Sequence, residues 1–233
     1  MGDHGLPRRR AEEALGLHTE LGDAWGGALS RYALANVAAA ARDWATAKQL
    51  MEESVREFSE LGDDFHALAA RRGLAWMYEE LGDVERYREL TEENLGLARS
   101  LGNKRIEARA LGALAMLALD KGRLHDALAL MTDSYRIDRE LGFTIFVAID
   151  LVRFAAILAA DGRAAAAARL LARADGLRKE IGLTLESWAV EERDEALATV
   201  ESALDEAAFA EAWEQGRALT ADEAAALALA SSD

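Results

Sequence analysis

The side chains best suited to acid–base or metal chemistry are four histidines, His4, His18, His66 and His125. No two of them stand four residues apart, the spacing that places a metal-binding pair on one face of a helix. The sequence has no cysteine and no G-x-x-x-x-G-K-[ST] phosphate loop. The carboxylates at 191–195 are more typical of a solvated helix face than of paired catalytic acids. These features predict a protein that is not an enzyme and holds no cofactor or metal.

The composition indicates a helical and strongly acidic protein. Half of the residues are apolar, only Pro7 is proline, and the formal net charge is −15. Such a charge repels phosphate backbones, so direct binding of nucleic acid is not expected. No apolar run reaches the roughly 18 residues that a membrane span needs. Arg8-Arg9-Arg10 has no apolar segment after it, so no secretory signal is indicated and a cytoplasmic location is expected.

Leu-Gly or Ile-Gly pairs recur every 40 residues. They are Leu21-Gly22, Leu61-Gly62, Leu101-Gly102, Leu141-Gly142 and Ile181-Gly182. A second series lies halfway between them, at Gly82, Gly122 and Gly162, with Arg42 in the corresponding position. Because glycine after a helix adopts the left-handed conformation without strain, each pair predicts a helix end. The predicted helices are 23–40, 44–60, 63–80, 84–100, 103–120, 124–140, 143–160 and 164–180.

The turn residues lead to further expectations. Asp23, Asp43, Asp63 and Asp83 follow the turn positions and are expected to cap the next helix. Arg42 lacks the conformational freedom of glycine, so its turn is expected either to be strained or to have another shape. Small residues recur at Ala35, Ala75, Ala115 and Ala155 and again at Ala47, Ala127 and Ala167, where they let helices approach closely. Tyr87 occupies the small position of its unit and is expected either to push that helix pair apart or to meet a smaller neighbour, Gly73.

These columns resemble the tetratricopeptide repeat (TPR). Leu34-Ala35, Arg42-Asp43-Trp44 and Ala47 keep the offsets of that family, with a unit of 40 residues instead of 34. The resemblance implies an all-α, right-handed α-solenoid of stacked antiparallel helix pairs, a TPR-like superhelix with a C-terminal capping helix. We predict one domain over 1–233. Its parts are a trailing half-repeat at 1–20 with Gly2-Asp3 on its inner turn, repeats at 21–60, 61–100, 101–140 and 141–180, a degenerate fifth repeat at 181–216 and a cap at 217–233.

The C-terminal stretch is distinctive. Thr220 and Glu223 form a capping-box pattern that begins a last helix over 221–230, and the preceding helix is expected to end at Gly216. Residues 209–220, FAEAWEQGRALT, followed by EAAALAL at 223–229, resemble the closing sequence of bacterial multidomain ATPase and LuxR-type transcriptional regulators. This resemblance implies that the chain is the repeat arm of such a regulator, with the ATPase and DNA-binding parts of a parent chain as partners.

In TPR proteins the first helix of each pair lines the concave face. Transferring that face by column gives the candidate peptide-binding residues Tyr32, Asn36, Arg72, Trp76, Arg109, Met116 and Arg153. The three arginines predict an acidic or carboxylate-bearing peptide, since guanidinium groups bind carboxylates through two hydrogen bonds. The alternative is that these arginines form ion pairs with neighbouring Glu and Asp.

The predicted function is a non-catalytic scaffold that binds a protein or peptide, acting as the regulatory or sensor module of a bacterial regulator. Two alternatives remain open. A small effector molecule could bind between the helices, which a deep pocket lined by Tyr32 and Trp76 would favour. The N-terminal half-repeat could instead pair with a second copy and form a homodimer.

Overall fold

The computed structural model describes residues 5–182 and 187–230, and within those ranges the chain forms helices and short turns without strands. The helices are α1 (Gly5–Glu20), α2 (Ala24–Ala40), α3 (Trp44–Glu60), α4 (Asp64–Glu80), α5 (Val84–Ser100), α6 (Lys104–Asp120), α7 (Leu124–Glu140), α8 (Thr144–Ala160), α9 (Ala164–Glu180), α10 (Ser187–Ala203), α11 (Glu206–Arg217) and α12 (Ala221–Leu229). The predicted all-α fold class is confirmed. Gly2-Asp3, His4, residues 183–186 of the predicted fifth repeat and residues 231–233 of the predicted cap lie outside the described residues.

The turns from α1 to α9 end one helix with the same pair of backbone hydrogen bonds, and the first turn shows how the next helix can begin. Gly22 has φ +67°, its N–H donates to the Thr19 carbonyl at 3.2 Å, and the Asp23 N–H donates to the His18 carbonyl at 2.9 Å. This is the Schellman arrangement, which pairs the last carbonyls of α1. The Asp23 carboxylate then accepts from the Gly26 N–H at 2.9 Å and caps α2. One aspartate therefore completes the end of one helix and the start of the next.

The turn at Arg42 keeps this shape although it has no glycine. Arg42 has φ +59°, the one positive φ among the described non-glycine residues. Its N–H donates to the Ala39 carbonyl at 2.8 Å, and the Asp43 N–H donates to the Ala38 carbonyl at 2.9 Å. The turn was expected either to be strained or to have another shape, and the positive φ shows that it is strained. A Cβ in the left-handed region costs about 1–2 kcal/mol.

Side-chain caps distinguish the first turns from the later ones. The predicted caps by Asp23, Asp43, Asp63 and Asp83 are confirmed. At the starts of α7, α8 and α9 the corresponding residues are Arg123, Phe143 and Arg163, and none of the three caps its helix with a side-chain hydrogen bond. These later helices begin without that stabilisation.

By its contacts the chain divides into two units, the first ending at Ile106 and the second beginning at Glu107. The single-domain organisation and its repeat boundaries stay a prediction. In the first unit, successive helices from α1 to α5 pack against one another. Ala35, Ala47 and Ala75 are buried there as predicted. The atoms nearest to a Cβ at Gly73 belong to Met51 on α3, with Cε at 2.9 Å, and the pairing of Gly73 with Tyr87 stays a prediction.

In the second unit, α8 and α9 supply more than half of the main apolar cluster, and α8 alone has ten buried residues. Helix α10 packs on both, α11 packs on α9, and α12 packs on α8 and α9. Helix α11 ends at Arg217, within one residue of the predicted end at Gly216. Gly216 also permits a close approach, since a Cβ there would collide with the backbone oxygen of Arg169 on α9.

The last helix is fixed at both ends. At its start the predicted capping box is present, with Thr220 and Glu223 bonded reciprocally. Asp222 in the first turn accepts two hydrogen bonds from Arg139, at 2.7 and 2.6 Å, and one from the Tyr135 hydroxyl at 2.8 Å. At its end, Arg163 donates to the carbonyls of Leu227 at 2.5 Å and Ala228 at 3.4 Å.

Candidate functional site

Four of the seven predicted peptide-binding residues lie in the first unit, on α2 and α4, which contact each other. We call this surface the α2–α4 face and define it by Tyr32, Asn36, Arg72 and Trp76. Tyr32 and Trp76 are half-buried, and Asn36 and Arg72 are exposed. Asn36 donates its side-chain amide to the Tyr32 carbonyl at 3.0 Å. The Trp76 ring packs edge-on against Trp44 of α3, with centroids 5.4 Å apart.

Arg72 differs from the arginines beside it in the fold. Arg71 pairs with Glu93 of α5 at 3.1 Å, and Arg31 pairs with Glu53 and Glu57 of α3 at 3.3 and 3.0 Å. Arg72 makes no ion pair within the described chain. Its guanidinium group is therefore available to a ligand. One helical turn along α4, the half-buried Trp76 ring offers apolar contact area, and Tyr32 lies on the contacting helix α2.

The other three predicted residues, Arg109 and Met116 on α6 and Arg153 on α8, lie in the second unit. Met116 is half-buried. Arg109 pairs with the fully buried Asp138 of α7. Its guanidinium carbon lies 3.7 Å from the ring centroid of Phe146, a cation–π distance. Arg109 is thus held on two sides by the protein itself.

Arg153 is held in a similar way. It donates to both carboxylate oxygens of Glu192 on α10, at 2.9 and 2.8 Å. The arginine lies over Gly112, where a Cβ would come 2.8 Å from one of its terminal nitrogens. The ion-pair alternative therefore describes Arg109 and Arg153, while Arg72 retains the geometry of a binding residue.

A buried carboxyl, which the sequence interpretation missed, lies close to these arginines. Asp150 on α8 is fully buried and accepts a hydrogen bond from the Ser134 hydroxyl at 3.3 Å. Burial raises the pKa of the Asp150 carboxyl to about 7, and the charges of Arg109 and Arg153 only partly oppose this rise. One of its oxygens, Oδ2, accepts no hydrogen bond from the described residues. The available signal was a lone carboxylate within the otherwise apolar stretch of α8.

Two of the histidines within the described ranges take part in turn structure. His18 and His66 contact the capping carboxylates Asp23 and Asp63 at 2.9 and 2.7 Å, and His125 is exposed. Hydrogen bonds from Trp25 and His66 lower the pKa of Asp63 although its partial burial acts to raise it. Across residues 5–182 and 187–230 no three His, Asp or Glu side chains are arranged to hold a metal ion. None of the helices in that part of the chain is long and apolar enough to cross a membrane.

Two clefts are found in the second unit, and neither includes Tyr32 or Trp76. A narrow one lies between α8, α9 and α10 and is lined by Ile149, Asp175 and Arg193, among others. A larger one of about 320 Å³ lies between α9 and α11. Its lining includes Arg173, Lys179, Trp213 and Arg217. Arg173 is bound to both carboxylate oxygens of Glu180 at 2.9 Å.

Comparison with known proteins identifies the fold. The chain is similar to the crystal structure of BtubC (BKLC) from P. vanneervenii, with a TM-score of 0.69 and 15% sequence identity over 97% of this chain and 91% of that one. It is also similar to a putative kinesin light chain with nearly identical TPR-like repeats from Podosopora anserina, with a TM-score of 0.55 and 19% identity over 81% of this chain and 92% of that one. No protein-family model matches the sequence, and no curated protein matches it. The chain therefore has the fold of the TPR-like helical-repeat proteins.

Proposed function

We propose that the chain is a non-catalytic scaffold that binds a protein or peptide at the α2–α4 face. TPR-like repeats generally mediate interactions between proteins, and their fold is typically non-catalytic. The observation that carries the proposal is Arg72, an exposed cation without an ion pair in the described chain, one helical turn from the half-buried Trp76 on α4. Arginine and aromatic residues are the side chains that most often dominate binding energy at interfaces.

The ligand that this surface favours is an acidic peptide. A side-chain or terminal carboxylate would pair with Arg72, and an adjacent apolar side chain would lie against Trp76. Asn36 offers a further polar contact at the same face. In the second unit, taken by itself, Arg109 and Arg153 would bind a ligand carboxylate beside Met116 only by exchanging Asp138 and Glu192 for it.

In the cell we propose that the chain acts in the cytoplasm as the regulatory or sensor arm of a larger bacterial regulator. The closing sequence at 209–229 supports this role through its resemblance to such regulators. The acidic peptide would then belong to the ATPase or DNA-binding parts of the parent chain, or to a separate protein. Neither nucleic acid nor a membrane is proposed as a direct partner, because the net charge of −15 repels anionic surfaces.

One observation favours a small-molecule effector as a second candidate. The cleft between α9 and α11 has a volume of about 320 Å³, within the range of ligand pockets. Its lining combines the Trp213 ring and Lys179 with Arg217, which pairs with Glu214 at 2.8 Å, and with the carboxylates of Asp175 and Glu180. A small molecule with a planar ring and groups of both charges would suit this lining. The pocket differs from the expected one, which was to be lined by Tyr32 and Trp76.

A peptide-display selection on the immobilised chain tests the scaffold proposal. The selected peptides would be synthesised and their affinities measured by fluorescence anisotropy. We expect carboxylate-rich sequences whose affinity falls about tenfold or more in R72E and in W76A. The matched control is R56E, which makes the same charge change at an exposed arginine on α3. Affinity that is unchanged in R72E, or lost equally in R56E, would show that the α2–α4 face is not the site.

A further inference from the structure

Helix α1 is formed but presents much of its surface to solvent. None of its residues is buried, and it packs against α2. The side that meets α2 consists of half-buried residues at helical spacing, namely Ala11, Ala14, Leu15 and His18. Leu6 and Leu17 lie away from this side and are 45% and 54% exposed. These two leucines offer apolar contact area near the two ends of the solvated side of α1.

The exposed side carries a regular stripe. Leu6, Arg10, Glu13 and Leu17 follow one another at spacings of four, three and four residues, so they share one face of α1. We call these four residues the α1 stripe. Arg10 and Glu13 form no ion pair with any described residue. Both charges at the centre of the stripe are thus available for contacts outside the chain.

The order of side chains in the α1 stripe is its most informative property. Read in either direction it runs apolar, charged, charged, apolar, and reversing the direction exchanges the positive and the negative charge. A second α1 laid antiparallel across a two-fold axis would place Leu6 opposite Leu17 and Arg10 opposite Glu13. Each contact would then occur twice, as in every isologous interface.

The charge distribution along α1 gives a second reason to expect an external partner. Arg8, Arg9 and Arg10 lie near the helix N-terminus, and the first turn contains no acidic residue. Cations at that end oppose the helix dipole, so they do not stabilise α1 itself. The charge of Arg8 is compensated by an ion pair with Glu12 at 2.9 Å, whereas the charge of Arg10 has no such partner among the described residues. A carboxylate from another molecule would offset this unfavourable charge.

We propose that two copies of the chain associate through their α1 stripes in an antiparallel pair. A second copy presents the reversed order of the same four side chains, and so matches the stripe at every position. The seam is short and the chains each carry a charge of −15, so the dimer is weak and depends on concentration. This pairing goes beyond the scaffold function and stands whether or not a peptide binds at the α2–α4 face.

Charge reversal at the two central positions tests the pairing. In R10E every central contact becomes carboxylate against carboxylate, and in E13R it becomes guanidinium against guanidinium. Sedimentation equilibrium over a graded concentration series at about 0.15 M salt, where the Debye length is about 8 Å, would measure the dimer dissociation constant. We expect each single variant to dimerise about tenfold more weakly than the unaltered chain. R56E, on α3, should dimerise like the unaltered chain.

Mixing the two variants gives the sharper result. In a heterodimer, the carboxylate introduced by R10E faces the guanidinium introduced by E13R. The native Glu13 of the first chain likewise faces the native Arg10 of the second, so both contacts are again attractive. We expect an equimolar mixture to form dimers with the affinity of the unaltered chain, while circular dichroism confirms equal helix content in all variants. An unaltered chain that stays monomeric over the series would overturn the proposal. So would single variants that dimerise normally, or a mixture that does not recover.

Discussion

At the scale of single residues, Arg42 shows that the hydrogen bonds of the turn fix a left-handed backbone even where the residue is not glycine. Eight other turns use glycine at the left-handed position, and all eight glycines have positive φ. Arg42 adopts φ +59° because the hydrogen bonds of Ala38 and Ala39 on one side, and the Asp43 cap on the other, require the same backbone path. The strain is local and exposed, so it can be relieved without disturbing the core.

We predict that R42G stabilises the protein. Removing the Cβ from this left-handed position should stabilise the folded state by about 1–2 kcal/mol. The greater freedom of glycine also stabilises the unfolded chain, which offsets this gain by about 0.4–1 kcal/mol. The free energy of unfolding should rise by about 0.5–1 kcal/mol in urea titration. R42A is the control, because it removes the charge but keeps the Cβ, and should change stability little. A loss of stability in R42G, or an equal gain in R42A, would show that the turn is not strained.

Asp150 leads to a prediction about pH. Burial raises the pKa of its carboxyl to about 7, well above its value in an unfolded chain, about 3.9. Between these values the folded state holds a proton that the unfolded state has lost, so this group makes stability fall as pH rises from about 4 to about 7. In D150N that contribution disappears. We expect the stability of D150N relative to the unaltered chain to increase over this window by at most about 1.4 kcal/mol per pH unit, and then to level off.

The measurement is chemical denaturation of both proteins at several pH values. The contributions of carboxylates present in both proteins cancel in the difference between their free energies of unfolding. The groups facing Asp150 that the comparison must hold constant are Arg109, Arg153, Ser134 and Glu192. A difference that stays flat between pH 4 and 7, or that shrinks, would mean that Asp150 is already ionised in the folded protein.

At the scale of helices, the sequence could predict those features that depend on residues close together in the chain. The ends of α2 to α9 agree with the predicted ranges within one residue. Helix termination by Gly and capping by Asp involve hydrogen bonds between residues at most five apart. The sequence pattern at each turn is therefore enough to place the helix ends. The site depends on distant pairs, such as Arg153 with Glu192, 39 residues apart. No local pattern shows which arginines form such pairs and which, like Arg72, stay available.

The same limit explains Gly73 and Gly216. The atoms nearest to a Cβ at these glycines belong to Met51 and to the backbone of Arg169. Both contacts join different helices, and the 40-residue period does not encode them.

The uncapped starts of α7 and α9 allow a matched prediction. Arg123 and Arg163 occupy equivalent turn positions without a side-chain cap. Asparagine at position 103 already caps α6 by accepting from the Ile106 N–H at 3.2 Å. R123N should therefore stabilise the protein by about 0.5–1 kcal/mol, the usual gain from an N-cap.

R163N introduces the same cap but removes the hydrogen bonds to the Leu227 and Ala228 carbonyls at the end of α12. We expect it to lower the free energy of unfolding by about 1 kcal/mol net, since hydrogen bonds to charged groups contribute about 1.5–3 kcal/mol. Urea titration of both variants compares the two directly. A stabilising R163N would show that Arg163 does not hold α12.

At the scale of the whole molecule, burial is unevenly distributed among the helices. Within the described chain α8 has ten buried residues and α1 has none. In repeat proteins each helix pair contacts mainly its neighbours, so stability is a sum of local terms and regions open independently. A stability averaged over the whole chain therefore describes neither its most stable nor its least stable helix.

This distribution predicts the order of amide hydrogen exchange. In dilute solution α1 should exchange fastest among the described helices, and α8 and α9 slowest, because opening α8 exposes the buried core of its unit. Mass spectrometry of proteolytic fragments after timed exchange measures this order. Raising the protein concentration should slow exchange in α1 while leaving α8 unchanged, because pairing of two copies would shield the α1 stripe alone. Protection of α1 equal to that of α8 in dilute solution would contradict the assignment of α1 as the weakly held, open helix.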